Sequence, residues 1–151
     1  MNRIAAAAAF LLVVVACVGS VQVKGKAMEP AIHDGERVTY ERYDGGQLNR
    51  GEIVIFNSEG GTGAASIKRI VGLPGETVRW DGGRVLIDDQ SLDEPYLAPG
   101  TQTTPQSPQV GTKYVVPADS YFVLGDNRIA SSDSRSFGAV TRSQVFGKIK
   151  R

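Results

Sequence analysis

From residue 21 onward the apolar residues of this chain come in short β-rich runs, at 37–40, 53–56, 67–71, 77–80, 85–87 and 121–124. Each run is bounded by clusters of glycine, proline and aspartate. No convincing amphipathic helical pattern appears after the N-terminal segment, so the apolar side chains have to be buried by pairing strands. A mainly β fold is expected. Asp81-Gly82-Gly83 lies between two of the runs and reads as a hairpin turn, because glycine supplies the positive φ that tight turns demand. The 151 residues allow one domain carrying a small insertion.

The N-terminus has a different character. No charge occurs from residue 4 to residue 23, and 4–18 is apolar throughout. A helix over 4–21 would be about 27 Å long, slightly short of a hydrocarbon core of roughly 30 Å. It lacks the polar face of a core helix, so residues 1–22 read as a single membrane anchor. A cleaved secretory signal is an alternative. So is a lipoprotein signal in which Val14-Val15-Ala16-Cys17 makes Cys17 the lipidated residue. Arg3 before the run and Lys24 and Lys26 after it give an ambiguous orientation. On each reading the remainder sits at a membrane surface.

Composition narrows the partners. Seventeen basic and 16 acidic side chains, net +1, are spread along the sequence, unlike the basic face of a nucleic-acid binder. The single cysteine forms no internal disulfide. No His, Cys and carboxylate cluster has metal-ligand spacing, and Gly60-Gly61-Thr62-Gly63 lacks the lysine and helix of a phosphate loop, so neither metal nor cofactor is expected. His33, in the polar turn His33-Asp34-Gly35-Glu36, reads as a solvated loop residue. Residues 97–111 are rich in Pro, Thr, Gln, Ser and Gly and are expected to form an extended or mobile loop. Residues 77–116 read as a small β insertion on a core made of 23–76 and 117–151.

The chemistry centres on Lys68. A serine hydroxyl needs a base within hydrogen-bond reach, and a lysine serves only when it is neutral. Burial lowers a lysine's pKa because desolvation penalises the charged form. Ile67-Lys68-Arg69-Ile70-Val71 is an apolar strand in which such an amine can be buried, with Arg69 facing the opposite side. An exposed strand lysine would be the ordinary reading of this run taken alone.

The surrounding motifs change that reading. Val23-Lys24-Gly25-Lys26-Ala27-Met28-Glu29-Pro30 is similar to V-x-G-x-S-M-x-P, and Arg50-Gly51-Glu52-Ile53-Val54-Ile55-Phe56 to R-G-D-I-V-x-F. Lys68-Arg69 is followed by Gly72-Leu73-Pro74-Gly75-Glu76, and the insertion contains Leu92-Asp93-Glu94-Pro95-Tyr96-Leu97. Gly125-Asp126-Asn127-Arg128, Ser131 and Asp133-Ser134-Arg135 close the series. In this order and spacing the chain resembles the bacterial type I signal peptidases over nearly its whole length.

The resemblance implies a signal-peptidase/LexA-like β fold with a small β insertion, preceded by one transmembrane helix. It implies a membrane-bound serine endopeptidase of the Ser/Lys-dyad type that cleaves signal peptides from secretory preproteins after small residues. The enzyme would be a single-pass protein of the bacterial cytoplasmic membrane, with its catalytic domain on the extracytoplasmic side. Lys68 would be the general base and Ser131 would hydrogen-bond and orient its amine. Asp133 would be a structural carboxylate pairing with Arg69 and Arg135, supported by Gly125, Asp126 and Asn127. Backbone N–H groups around residue 27 would form the oxyanion hole, with Gly25 in place of a second hydroxyl donor. Val23, Met28, Ile32 and Ile67 would line shallow pockets for small side chains. The substrate would dock as an added strand.

The chain departs from this pattern where the nucleophile belongs. Position 27 is alanine, and a methyl group cannot attack a carbonyl; losing such a nucleophile costs on the order of a millionfold in rate. Ala27 is compatible with an introduced replacement of a serine, or with a natural loss that leaves a catalytically inactive homologue binding signal-like segments or partners at the membrane. It is also compatible with use of another hydroxyl, such as Ser66 or Thr39, neither of which lies at the turn the motif provides. Ala31, where threonine is usual, and Ser66, where an aromatic residue is common, are further departures; the second implies a wider or wetter pocket.

Overall fold

A computed structural model describes residues 17–58 and 64–151. Two antiparallel sheets share the apolar interior. The larger contains β1 (Val18–Gln22), β2 (Arg37–Arg42), β3 (Ile53–Asn57), β4 (Ala65–Gly72), β9 (Ser120–Leu124), β10 (Val140–Thr141) and β11 (Val145–Ile149), in the order β1-β2-β11-β3-β4-β9-β10. The smaller contains β5 (Thr77–Asp81), β6 (Arg84–Ile87), β7 (Gln90–Ser91) and β8 (Lys113–Val115), in the order β7-β6-β5-β8. One helical turn, α1 (Ser134–Phe137), is capped by the Asp133 side chain, which accepts from the Arg135 N–H.

Period-two alternation explains why β3 and β9 are buried on both faces. Val54 and Phe56 pack with Ile70, Tyr121 and Val123, whereas Ile53 and Ile55 face Val23, Met28 and Ile32. Phe122 and Leu124 point the other way, into a cluster with Val78, Trp80 and Val85 of the smaller sheet. Strands that face apolar partners on both sides read as continuous hydrophobic runs, and each fully buried aliphatic contributes roughly 1.5–3 kcal/mol. The β5–β6 turn forms at Gly82 and Gly83, both at positive φ, with Asp81 paired to Arg84 across it.

Two elements differ from the sequence reading. Residues 18–22, assigned there to the membrane anchor, form β1, paired with β2 from Val18↔Glu41 to Gln22↔Arg37. An uncharged run alone does not distinguish strand from helix; here Val21 packs against the apolar cluster while Val18, Ser20 and Gln22 are exposed. Residues 1–16, the rest of the expected anchor, lie outside the described residues. Among the described residues no helix is long and apolar enough to cross a membrane.

The second difference is the 97–111 segment. It is a loop without regular secondary structure, as expected, but one packed down on the core rather than mobile: Thr103 and Val110 are buried. Gln106 donates to the Ser131 carbonyl at 2.7 Å, and Ser136 donates to Gln106 at 2.6 Å. The few apolar groups of this segment are supplemented by hydrogen bonds to buried arginines, which composition does not reveal.

Candidate active site

β4 sets the position of Lys68. Its C-terminal half pairs with β9, Arg69 being paired to β3 as well, but residues 65–68 pair with β3 alone. That open edge faces the end of β1 across a cleft of about 400 Å³, whose lining includes Val23, Gly25, Ala27, Met28, Ile67 and Lys68. Ala64, Ala65 and Ser66 give this wall small side chains. A larger open hollow of about 550 Å³ lies beside Tyr43 and Arg142, and none of the motif residues around Lys68 reaches it.

The Lys68 side chain is buried, leaving the residue 7% exposed, and its amine donates to the Ile67 carbonyl at 3.1 Å. Burial holds its pKa below the ordinary lysine value, against a weaker opposing pull from the Asp133 charge. This is the direction required of an amine that is to accept a proton from a hydroxyl.

The turn that carries Ala27 hangs from the β1–β2 hairpin. Val23 N–H donates to the Glu36 carbonyl at 2.8 Å and Gly35 N–H to the Val23 carbonyl at 2.9 Å. The Gly25 N–H donates to Asp34 Oδ1 at 2.7 Å, with φ of +89° at Gly25, a conformation that favours glycine. Beyond it, Ile32 N–H donates to the Met28 carbonyl at 2.9 Å. Met28 and Val23 reach the cleft; Ile32 does not, being fully buried in the apolar cluster behind it.

Gly125 is where the motifs meet. A Cβ at this position would lie 2.1 Å from Ser131 Oγ and 2.6 Å from the Ala27 carbonyl oxygen, so only glycine fits. The Asn127 N–H donates to that same Ala27 carbonyl at 3.0 Å. Asp133, fully buried, accepts from the Gly125 N–H at 3.0 Å and from Ser131 Oγ at 2.8 Å. The Ser131 proton is therefore committed to Asp133 rather than shared with Lys68, which leaves the Ser131 oxygen lone pairs as acceptors for an amine.

The arginines are partnered differently from the sequence expectation. Arg135 does pair with Asp133, Nε to Oδ1 at 2.8 Å and Nη2 to Oδ2 at 2.9 Å. Arg69 instead pairs with Asp126, because alternation along β4 turns it away from the Lys68 side. Arg50 and Glu76, from two separate motifs, form a two-point pair at 2.8 and 2.6 Å, and Glu76 also accepts from the Leu73 N–H at 2.8 Å. Burial pushes the Glu76 pKa up, but these hydrogen bonds outweigh it and hold the carboxyl below its usual value.

Sequence reasoning quoted Arg128, Glu94 and Tyr96 within motifs but gave them no role. Arg128 has a fully buried side chain, donates from Nε to the Gly125 carbonyl at 2.8 Å, and pairs with Glu94 from Nη2 at 2.5 Å. Its Nη1 also bonds Thr103 Oγ1. The Arg69 guanidinium stacks 4.0 Å over the Tyr96 ring.

The site is thus a buried amine opening into a cleft between two strand edges of an antiparallel β domain. The family model described as "Signal peptidase, peptidase S26" matches residues 2–151, and the chain belongs to this family. Among curated relatives, Signal peptidase IB of Staphylococcus aureus is 34% identical, over 84% of this chain and 73% of its own length. Signal peptidase I of Bacillus amyloliquefaciens is 38% identical, over 85% of this chain and 71% of its own length. The crystal structure of a signal peptidase I from Enterococcus faecalis V583 superposes with a TM-score of 0.57 at 34% identity, covering 70% of this chain and 98% of that one.

Proposed function

We propose that this chain is a signal peptidase I, a membrane-bound serine endopeptidase for the signal peptides of secretory preproteins, that lacks its nucleophile at position 27. The observation that carries the reading is the buried Lys68 amine in the same cleft as Ala27. An extended substrate adds as a strand beside the open edge of residues 65–68, using main-chain hydrogen bonds for affinity. Small side chains before the cut enter the pocket walled by Val23, Met28 and Ile67, with Ile32 behind them. With a serine at position 27, Lys68 takes the hydroxyl proton and returns it to the leaving amine, while Ser131 accepts from the Lys68 amine. Asp133, Arg135 and the Gly125-Asp126-Asn127 turn hold the parts in register. The uncharged N-terminal run holds the domain at the bacterial cytoplasmic membrane, on its extracytoplasmic side.

Ala27 itself favours a second reading, an inactive homologue that serves as a receptor for signal-like segments. Incubating the chain and its Ala27→Ser form with a preprotein separates the two. Cleavage by the serine form alone is the expected result. No cleavage by either leaves only the receptor reading, and cleavage by both overturns the assignment of position 27.

A further inference from the structure

Glu94 lies on the inserted segment, far in sequence from Lys68. Its side chain is only 8% exposed. Its Oε1 accepts from Arg128 Nη2 at 2.5 Å and from the Tyr96 hydroxyl at 2.9 Å, and its Oε2 lies 3.4 Å from Arg128 Nη1. The Arg128 fork is thus held by the insertion, through Glu94 and Thr103, while its Nε reaches back to the Gly125 carbonyl. That contact closes a turn over residues 125–128. Within the turn, the Gly125 backbone abuts Ser131 and the Ala27 carbonyl, and the Asn127 N–H bonds that carbonyl. The Arg128 carbonyl in turn accepts from Arg135 Nη2 at 2.8 Å, which joins the turn to the Asp133 carboxylate.

We propose that Glu94 is a positioning residue for the Lys68 cleft, orienting the 125–128 turn through Arg128 and thereby setting where residue 27 stands relative to Lys68 and Ser131. It touches neither substrate nor reacting atoms. The inference rests on the peptidase reading only for its activity consequence; the geometric part concerns the chain as it is. Replacing the carboxylate leaves a buried guanidinium without its counter-charge, and the turn that this guanidinium closes loses its orientation. Displacements of about 1 Å at such a site cost on the order of a hundredfold in rate.

The test compares the full chain with its Glu94→Gln form by amide hydrogen exchange. Gly125 and Asn127 are expected to exchange about tenfold faster in Glu94→Gln, while Val78 and Trp80 on β5 keep their protection. Glu94→Asp, which retains the charge, is expected to restore most of the protection. In the Ala27→Ser background, Glu94→Gln is expected to lower kcat by about 10- to 100-fold and leave KM within about twofold.

Unchanged exchange at Gly125 and Asn127 overturns the proposal whether or not the serine form cleaves. Faster exchange spread evenly over β5 overturns it as well, since that is the mark of a merely structural pair. If the Ala27→Ser chain is inactive, the peptidase reading fails and the exchange pattern alone decides on Glu94. Thr103→Val, which removes the second acceptor on Arg128 without removing a charge, is expected to give the same local pattern at smaller amplitude if Glu94→Gln does not fold. The absence of that pattern counts against the proposal.

Discussion

Arg69 and Asp126 meet through two hydrogen bonds, Nε to Oδ1 at 2.8 Å and Nη2 to Oδ2 at 2.6 Å. Arg69 follows Lys68 on β4, and Asp126 follows Gly125 on the turn that touches Ala27. The same guanidinium donates to the Gly51 carbonyl at 2.8 Å and stacks on Tyr96. One side chain thus ties the strand of the amine to the turn, to the start of β3 and to the insertion.

Asp126 is fully buried in its side chain and Arg69 nearly so, so removing one partner strands the other. Asp126→Ala is expected to destabilise the chain by about 3 kcal/mol, the lower end for breaking a buried pair from one side. Denaturant unfolding measures this. A loss well below 1 kcal/mol would mean that Arg69 finds water or another acceptor at no cost.

Lys68 gives a pH-dependent signature. Burial, the leading cause, makes the folded chain release this proton at a lower pH than the unfolded chain does. Between the lowered folded pKa and the ordinary value of 10.5 the unfolded state binds more protons, so stability rises with pH across that window and levels off above it. Below the window the amine is buried charged and costs most. Lys68→Met is therefore expected to stabilise the chain most below the window, with a gain that shrinks as pH approaches 10.5. Urea midpoints of both chains across pH provide the comparison, and a gain independent of pH contradicts the assignment. In the Ala27→Ser chain, cleavage is expected to rise with pH and to level off below the ordinary lysine pKa.

Gly125 is glycine for reasons of space rather than backbone conformation, because the turn leaves no room between Ser131 and the Ala27 carbonyl for a Cβ. Gly125→Ala is expected to cost about 1–3 kcal/mol of overpacking, read as a lowered Tm, and to abolish cleavage in the Ala27→Ser background. An unchanged Tm would show that the Ala27 turn yields easily.

The legible parts of the fold were those where local chemistry decides. The runs at 37–40, 53–56 and 121–124 became β2, β3 and β9 because their apolar residues face partners in three dimensions as they alternate along the chain. β11 was not read from the sequence because Gly147 interrupts Val145-Phe146-Gly147-Lys148-Ile149. The structure shows that a Cβ at Gly147 would meet the Tyr40 ring at 2.6 Å, and one at Gly19 would meet it at 2.3 Å. Glycine there makes room for an aromatic ring lying across the sheet, a long-range fact with no local trace. In the site, motif spacing singled out Lys68, Ser131 and Asp133, and the structure buries all three. The Asp126 partner of Arg69 and the Glu94 partner of Arg128 were not legible, since the choice of counter-ion depends on which strand face each side chain takes.

β1 is paired with β2 along all five of its residues, and the Cys17 carbonyl accepts from the Arg42 N–H at 3.0 Å. The stretch from residue 17 to the first wall of the cleft at Val23 is thus a stiff ruler rather than a leash, about 20 Å long at the rise of a strand. β1 thereby fixes the distance between residue 17 and the Val23 wall of the cleft.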